Sequence, residues 1–284
     1  MKTYIDCLPC LVRQVLNTGR MATDNPEKLW QIMRRSLEKL KDVSTEQPPP
    51  YTTRQIYMII RELTGCDDPY KGIKKEFNQM ALELLPGLQQ LVKESADSFE
   101  TAVRLAIAGN IIDFGPLGGI DKSTVTDTIK ECLELDLPRG SINRLRSAVG
   151  RSSKILYLAD NAGEIVFDQL LLLEMPREKI TFAVRGGPAI NDATLEDAVA
   201  AGVTDLVKVI DNGCDAPGTI LELCSAGFRQ VFDEADLIIA KGQGNYETLS
   251  HLAGKNIFFL LKIKCPVVAA TTGCKVGDIV IILP

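Results

Sequence analysis

Three short apolar runs in this chain stop at residues that can hold an ion or a charged ligand. Lys154-Ile-Leu-Tyr-Leu-Ala159 runs into Asp160-Asn161-Ala162-Gly163-Glu164. Ile180-Thr-Phe-Ala-Val184 is followed by Arg185-Gly-Gly-Pro188-Ala-Ile-Asn191-Asp192, and Leu237-Ile-Ile-Ala240 by Lys241-Gly-Gln-Gly-Asn245-Tyr-Glu247. Asp160, Asn161 and Asp192 offer two carboxylates and an amide oxygen, a donor set suited to a hard or borderline divalent cation such as Mg²⁺ or Mn²⁺. His251 is the single histidine, which excludes a multi-histidine zinc site. The competing reading is that Asp160-Asn161 and Asp192 only cap the helices that follow them. Two such turns at successive strand ends favour a site.

Lys241 stands among glycines. Gly242 and Gly244 let backbone approach a ligand, and a helix starting near Asn245 would aim its amide dipoles at an anion. A lysine there could neutralise a phosphate, or could be a solvated strand end. The segment is no Walker loop, and Arg185-Gly-Gly-Pro188 does not satisfy the dinucleotide fingerprint.

Parallel strands buried on both faces would position these turns, because their chemistry lies beyond their carboxyl ends. From about Ser153 onward, apolar runs alternate with helical stretches at Ile155–Ala159, Ile180–Val184, Leu206–Ile210, Leu237–Ala240, Ile257–Leu261 and Ile279–Leu283. That alternation predicts βαβ units and a mostly parallel, Rossmann-like open sheet flanked by helices.

The first hundred residues read as helical. Leu11, Val12, Val15 and Leu16 share one face; Leu29, Ile32, Met33, Leu37 and Leu40 share another. Asn25-Pro26-Glu27 is a helix start. Pro48-Pro49-Pro50 reads as an extended connector, with Thr52 or Thr53 capping the next helix. A further helix runs from Pro69 to Pro86-Gly87, and another spans Glu100 to Ala108. The expected organisation is an all-helical domain at 1–109, connecting loop and helices at 110–152, and an α/β domain at 153–284.

The 284 residues are 45% hydrophobic and 24% charged, ordinary for a globular chain with a real core. A net charge of −5 argues against a general nucleic-acid or membrane-surface binder. No apolar stretch reaches the roughly 18 residues of a membrane span. Together with an N-terminus lacking a secretory apolar segment, this predicts a cytoplasmic protein. Oligomeric state is not readable. Eight cysteines are too few for a secreted disulfide scaffold; Cys66, Cys132, Cys214 and Cys224 are expected as reduced, partly buried thiols. Cys7-Leu-Pro-Cys10 is open to three readings: half a metal site, a redox pair, or packing. Cys265 and Cys274 could complete a metal site only if folding brings them near.

Taken together, Asp160-Asn161-Ala-Gly-Glu164, Arg185 through Thr194, and Lys241 through Leu249 resemble the damage-control metal-dependent phosphatases. That family is also called domain of unknown function eighty-nine, or ARMT-one-like. Ala108-Gly-Asn110-Ile-Ile-Asp113-Phe-Gly115 and Cys7-Leu-Pro-Cys10 extend the resemblance to nearly the whole chain, in particular to the prokaryotic branch with an N-terminal Cys-x-x-Cys. The resemblance implies a helical domain on a Rossmann-like one, with a divalent metal (Mn, Mg, Co or Ni) held by Asp160, Asn161 and Asp192. It implies catalytic roles for Asp160, Lys241 and Lys264, and substrate contacts from Asn110, Asp113, Arg185, Asn191, Gly242 and Asn245. The activity implied is hydrolysis of small phosphorylated metabolites, such as sugar phosphates or damaged intermediates. One branch suggests an alternative, S-adenosylmethionine-dependent carboxyl methyl transfer, although the glycine-rich first turn typical of such enzymes is absent. A non-catalytic metal or nucleotide sensor using the same pocket is the third reading.

Overall fold

A computed structural model of the chain describes residues 1–111 and 129–283. Among these residues six strands form one sheet: β1 (Ile155–Leu158), β2 (Ile180–Val184), β3 (Lys208–Asp211), β4 (Leu237–Lys241), β5 (Ile257–Lys262) and β6 (Ile279–Ile282). Their order is β3-β2-β1-β4-β5-β6. The first five run parallel and β6 pairs antiparallel with β5. β1 therefore sits between β2 and β4, the place where successive crossovers leave in opposite directions. In an open α/β sheet a crevice forms there, outside the carboxyl ends of the strands.

The period-two alternation of the strands divides the core. Ile155 and Tyr157 face one layer, built on α4 (Lys71–Glu94), α5 (Ser98–Ile111), α6 (Arg139–Arg151) and α7 (Glu164–Leu173). Leu156 and Leu158 face the other, where Phe228 and Phe232 of α9 (Ala226–Glu234), Tyr246 of α10 (Gly242–Leu249) and Val268 of α11 (Pro266–Thr272) pack. The short α8 (Leu195–Ala200) follows the β2 turn and buries Ala198 with the first layer. A third cluster joins α1 (Cys7–Ala22), α2 (Pro26–Lys41) and α3 (Pro49–Thr64) through Leu11, Val15, Ile32, Leu40, Ile56 and Ile60. This three-helix unit covers the crevice.

Two helix boundaries differ from expectation. α3 starts at Pro49, with Pro48 in extended conformation before it, instead of at a threonine cap. Proline lacks the N–H that a first turn leaves unsatisfied, so the prolines fit inside the first turn. α4 runs through Pro86 to Glu94, because continuing the helix buries Leu88 and Val92 against the first layer. That burial outweighs one lost backbone bond. Asn25 caps α2 as expected, accepting from the amides of Glu27 and Lys28. Asp113 and the Gly115–Gly119 run lie outside the described residues. Among the described residues no helix is long and apolar enough to cross a membrane.

Candidate metal and phosphate site

The turns after β1 and β2 are stitched together by backbone. Asn161 and Asp192 form an isolated antiparallel bridge; Ala162 N donates to Asn191 O, and Ala193 N to Asp160 O. These bonds hold the Asp160, Asn161 and Asp192 side chains over one cavity of about 340 Å³. Asn191 and Lys264 line the same cavity, and so does Ile190, a β-branched residue held at φ 49°. Left-handed backbone is costly for such a side chain, and its presence marks a turn fixed by its surroundings.

Neither aspartate is a helix cap. α7 follows Gly163 with no side-chain cap, and α8 is closed by a reciprocal Thr194–Asp197 box. Asp160 and Asp192 instead converge on Arg185, which is buried to 2% exposure. Arg185 Nε donates to Asp192 Oδ2 at 2.6 Å, and its Nη2 lies 3.8 Å from Asp160 Oδ1. Asp160 Oδ2 accepts from Asn110 Nδ2 (2.7 Å) and Asn161 Nδ2 (2.9 Å); both amides also donate to Glu164 Oε2. Asn161 thus spends its nitrogen on the carboxylates and keeps Oδ1 for a ligand.

Lys241 stands elsewhere than its sequence position suggested. Its fully buried ammonium donates to Ala106 O, Glu164 Oε1 and Asp168 Oδ1, at 2.8, 2.7 and 2.6 Å. With all three hydrogens committed behind the site, it does not line the cavity. Glycine brings the β4 end in close: Gly242 has φ +75°, and a Cβ there would overlap the Asp160 carboxylate. Asn245 is likewise internal, donating to Ala159 O and Lys241 O and accepting from Thr219. Asn110, Arg185, Gly242 and Asn245 therefore support the turns from behind, while Asn191 and Lys264 reach the cavity. Asp113 lies outside the described residues.

Glu164 and Asp168 escaped the sequence reading, although their spacing was a signal. They fall four residues apart on α7, one face of a helix that begins at the Asp160 turn. Burial is the first cause raising the Asp160 pKa well above the carboxylate range, with Glu164 and Asp192 adding repulsion. Burial would raise Glu164 too, but Lys241 and Asn110 overcome it and hold it low. Burial lifts Asp168 to about 6 despite Lys241.

The charge balance tests whether a cation fits. Asp160, Glu164, Asp168 and Asp192 are buried carboxylates; Arg185 and Lys241 are the buried cations among them. With all four ionised two negative charges would remain, and the repulsion that raises the Asp160 pKa is what a bound cation would relieve. Asn110 Oδ1 is also buried without a hydrogen-bond partner among the described residues. Among those residues no three Cys, His, Asp or Glu side chains form a coordination cluster, because Arg185 and the two amides separate the acids. The fit is to an ion taking Asp160, Asp192 and the Asn161 amide oxygen, with water filling other positions.

Cys7, Cys10 and Cys265 line the same cavity. Folding thus brings Cys265 near the pair, but Cys274 is not in the lining. All eight cysteines are free, with Cys132, Cys214 and Cys224 buried.

A doubly wound sheet with acidic turns at its switch point and a helical cover defines an α/β protein whose candidate site lies outside the carboxyl ends of its strands. The family model described as "Damage-control phosphatase ARMT1-like domain" matches residues 3–280, and the chain belongs to that family. It is 37% identical over 285 residues to a damage-control phosphatase of Archaeoglobus fulgidus, covering 99% of this chain and 98% of that one. It is 36% identical over 273 residues to a damage-control phosphatase of Pyrococcus horikoshii, covering 95% and 93%. An uncharacterized protein of Methanocaldococcus jannaschii is 37% identical over 292 residues, covering 99% and 95%. A crystal structure of a DUF89 family protein from Pyrococcus horikoshii superposes with a TM-score of 0.87 at 34% identity, covering 100% of this chain and 99% of that one.

Proposed function

We propose that this protein is a metal-dependent phosphatase that hydrolyses phosphomonoesters of small metabolites. The observation that carries the reading is the convergence of Asp160, Asn161 and Asp192 from two strand ends, with repulsion between the two aspartates, on the wall of one cavity. Membership of the damage-control phosphatase family supports hydrolysis over methyl transfer.

Asp160, Asp192 and Asn161 would hold a divalent cation (Mn²⁺, Mg²⁺, Co²⁺ or Ni²⁺), which when bound would supply Lewis-acid charge stabilisation and a more acidic water. The chain's own residues do the positioning. Asn110 and Asn161 pin Asp160 Oδ2, which fixes the direction of Oδ1. Arg185 fixes Asp192 Oδ2 in the same way and limits repulsion between the two acids. Lys264 on the cavity wall meets the remaining phosphate charge as a point cation. Lys241 holds Glu164, and through it the two amides, so its role is positioning. The α1–α3 unit covers the phosphate end and restricts water.

Phosphate release from phenyl phosphate, by protein stripped with chelator and reloaded with each metal in turn, tests this. The expected result is metal-dependent turnover, with Asp160→Asn and Asp192→Asn each lowering kcat at least ~100-fold and weakening Mn²⁺ binding by calorimetry. Folded variants that keep wild-type rates overturn the assignment. Tight metal binding without turnover of any phosphate ester identifies the sensor reading instead.

A further inference from the structure

Three cysteines on the cavity wall have no part in the phosphate chemistry. Cys7 opens α1 of the helical cover and Cys10 follows one turn later, whereas Cys265 belongs to the sheet side, between β5 and α11 and directly after Lys264. Cys132, Cys214 and Cys224 are sealed in the core, but Cys7 and Cys265 are only half-buried and border a cavity that a small solute can enter. Among the described residues no three Cys, His, Asp or Glu side chains gather closely enough to hold an ion. A disulfide needs only two sulfurs.

Cys7 and Cys265 are the two that face each other between elements. Cys265 Sγ accepts from Val268 N at 3.5 Å and from Gln243 Nε2 at 3.7 Å, which fixes where that sulfur stands. Burial is the largest cause raising the Cys7 thiol above its usual range, and the charges of Glu247, Cys265 and Cys10 add to the rise in that order. Charge effects weaken with distance. Cys265 thus acts on Cys7 more strongly than Cys10 does from the next turn of the same helix. A thiol held protonated reacts slowly with an oxidant, which leaves Cys265 to react first and Cys7 to follow.

We propose that Cys7 and Cys265 are an oxidation site for hydroperoxides, forming a disulfide that ties the helical cover to the sheet across the cavity and shuts ligands out. The Cys265 sulfur attacks one peroxide oxygen: an S–O bond forms, the O–O bond breaks, and the leaving oxygen departs as water with the thiol proton. The Cys7 sulfur then attacks the sulfenic sulfur: an S–S bond forms, the S–O bond breaks, and a second water carries off the Cys7 proton. Each sulfur gives up one electron and the peroxide takes both. A small external dithiol reverses the bond by exchange and is itself left as a disulfide.

The test treats reduced full-length protein with about a twofold molar excess of hydrogen peroxide, then quenches with catalase. Alkylation under denaturing conditions counts thiols, and peptide mass mapping locates any bridge. The expected result is a loss of two from the eight free thiols, with Cys7 joined to Cys265. Cys10→Ser is expected to form the same bridge, and Cys7→Ser to leave a sulfenic acid on Cys265 that dimedone traps. A Cys7–Cys10 bridge, or eight thiols still alkylated, overturns the pair. Oxidised protein loaded with Mn²⁺ is expected to lose at least ~10-fold in kcat/KM for phenyl phosphate and to recover with dithiothreitol. A mapped Cys7–Cys265 bridge with a smaller loss overturns the closure. Reduced protein that turns over no ester removes the phosphatase reading, and the peptide map still decides the bridge.

Discussion

Single residues at this site divide into those that face the ligand and those that hold them, and Lys241 shows why the distinction matters. A lysine after a strand and before glycines has the sequence look of a phosphate contact, yet its ammonium is sealed between Glu164 and Asp168. Replacing it by methionine leaves two buried carboxylates without their cation. The expected loss is about 3–5 kcal/mol of stability, or a melting temperature lower by roughly 10 °C for a chain of this size. Calorimetry of Lys241→Met checks this: an unchanged melting temperature with lost activity would return the lysine to the substrate side. Gly242 makes the opposite point, because no stabilising contact depends on its side chain. Alanine there meets the Asp160 carboxylate and must hold φ +75°, so Asp160 has to move. Gly242→Ala is expected to lower kcat more than ~100-fold, since small displacements of a reacting group are that costly. The measurement is steady-state kinetics on protein whose folding has been verified by circular dichroism.

At the scale of elements, the chain announced its strands clearly and its helix ends poorly. Short apolar runs bounded by turn residues are too brief for a helix, and the observed β1–β6 follow them within two residues at either end, the exposed edge strand β3 included. The turns beyond them were legible because Asp160, Asn161 and Asp192 are oxygen-rich where small apolar residues would suffice for a loop. What could not be read was direction. Arg185, Lys241 and Asn245 sit beside cavity-lining residues in sequence, but their side chains point into buried networks that only the packed neighbours define. Pro86 misled for the same reason, since the gain that carries α4 through it comes from tertiary burial. One tie between elements is open to test. Asp197 caps α8 and also accepts from Lys74 and Asn78 of α4, while Asn78 Oδ1 accepts from Gly163 N at the head of the acidic turn. Asp197→Ala is expected to destabilise the fold by about 2–4 kcal/mol, as it removes a helix cap and one of the buried Lys74 ammonium's carboxylate partners. Urea unfolding with an unchanged slope would measure it, and a loss below ~1 kcal/mol would show that the α4–α8 tie is dispensable.

For the molecule as a whole, the question is what fastens the three-helix cover to the sheet. The α1–α3 unit keeps its own apolar cluster, and its attachment over the crevice combines the packing of Tyr51 against the second sheet layer with polar contacts. The main one is Asp215, beyond β3. It pairs with both Arg54 and Arg61 of α3, and Arg61 also donates to Pro188 O in the turn that carries Asp192. Burial would raise the Asp215 pKa, but the two arginines outweigh it and hold the carboxyl below its usual range. The group is about a quarter exposed, so solvent screens the pairs and their combined worth is about 1–2 kcal/mol. Two consequences follow for Asp215→Asn. The cover is held less tightly, so the closed cavity is populated less and KM for a phosphate ester rises roughly 5–10-fold. The acidic turns are built from β1 and β2 backbone bonds that do not involve Asp215, so kcat at saturating ester changes less than twofold. Added salt weakens the wild-type pairs, and raising it from 0.05 to 0.5 M should narrow the KM gap between wild type and variant. A kcat loss that matches the KM effect would mean the cover takes part in the chemical step instead of enclosing the substrate before it.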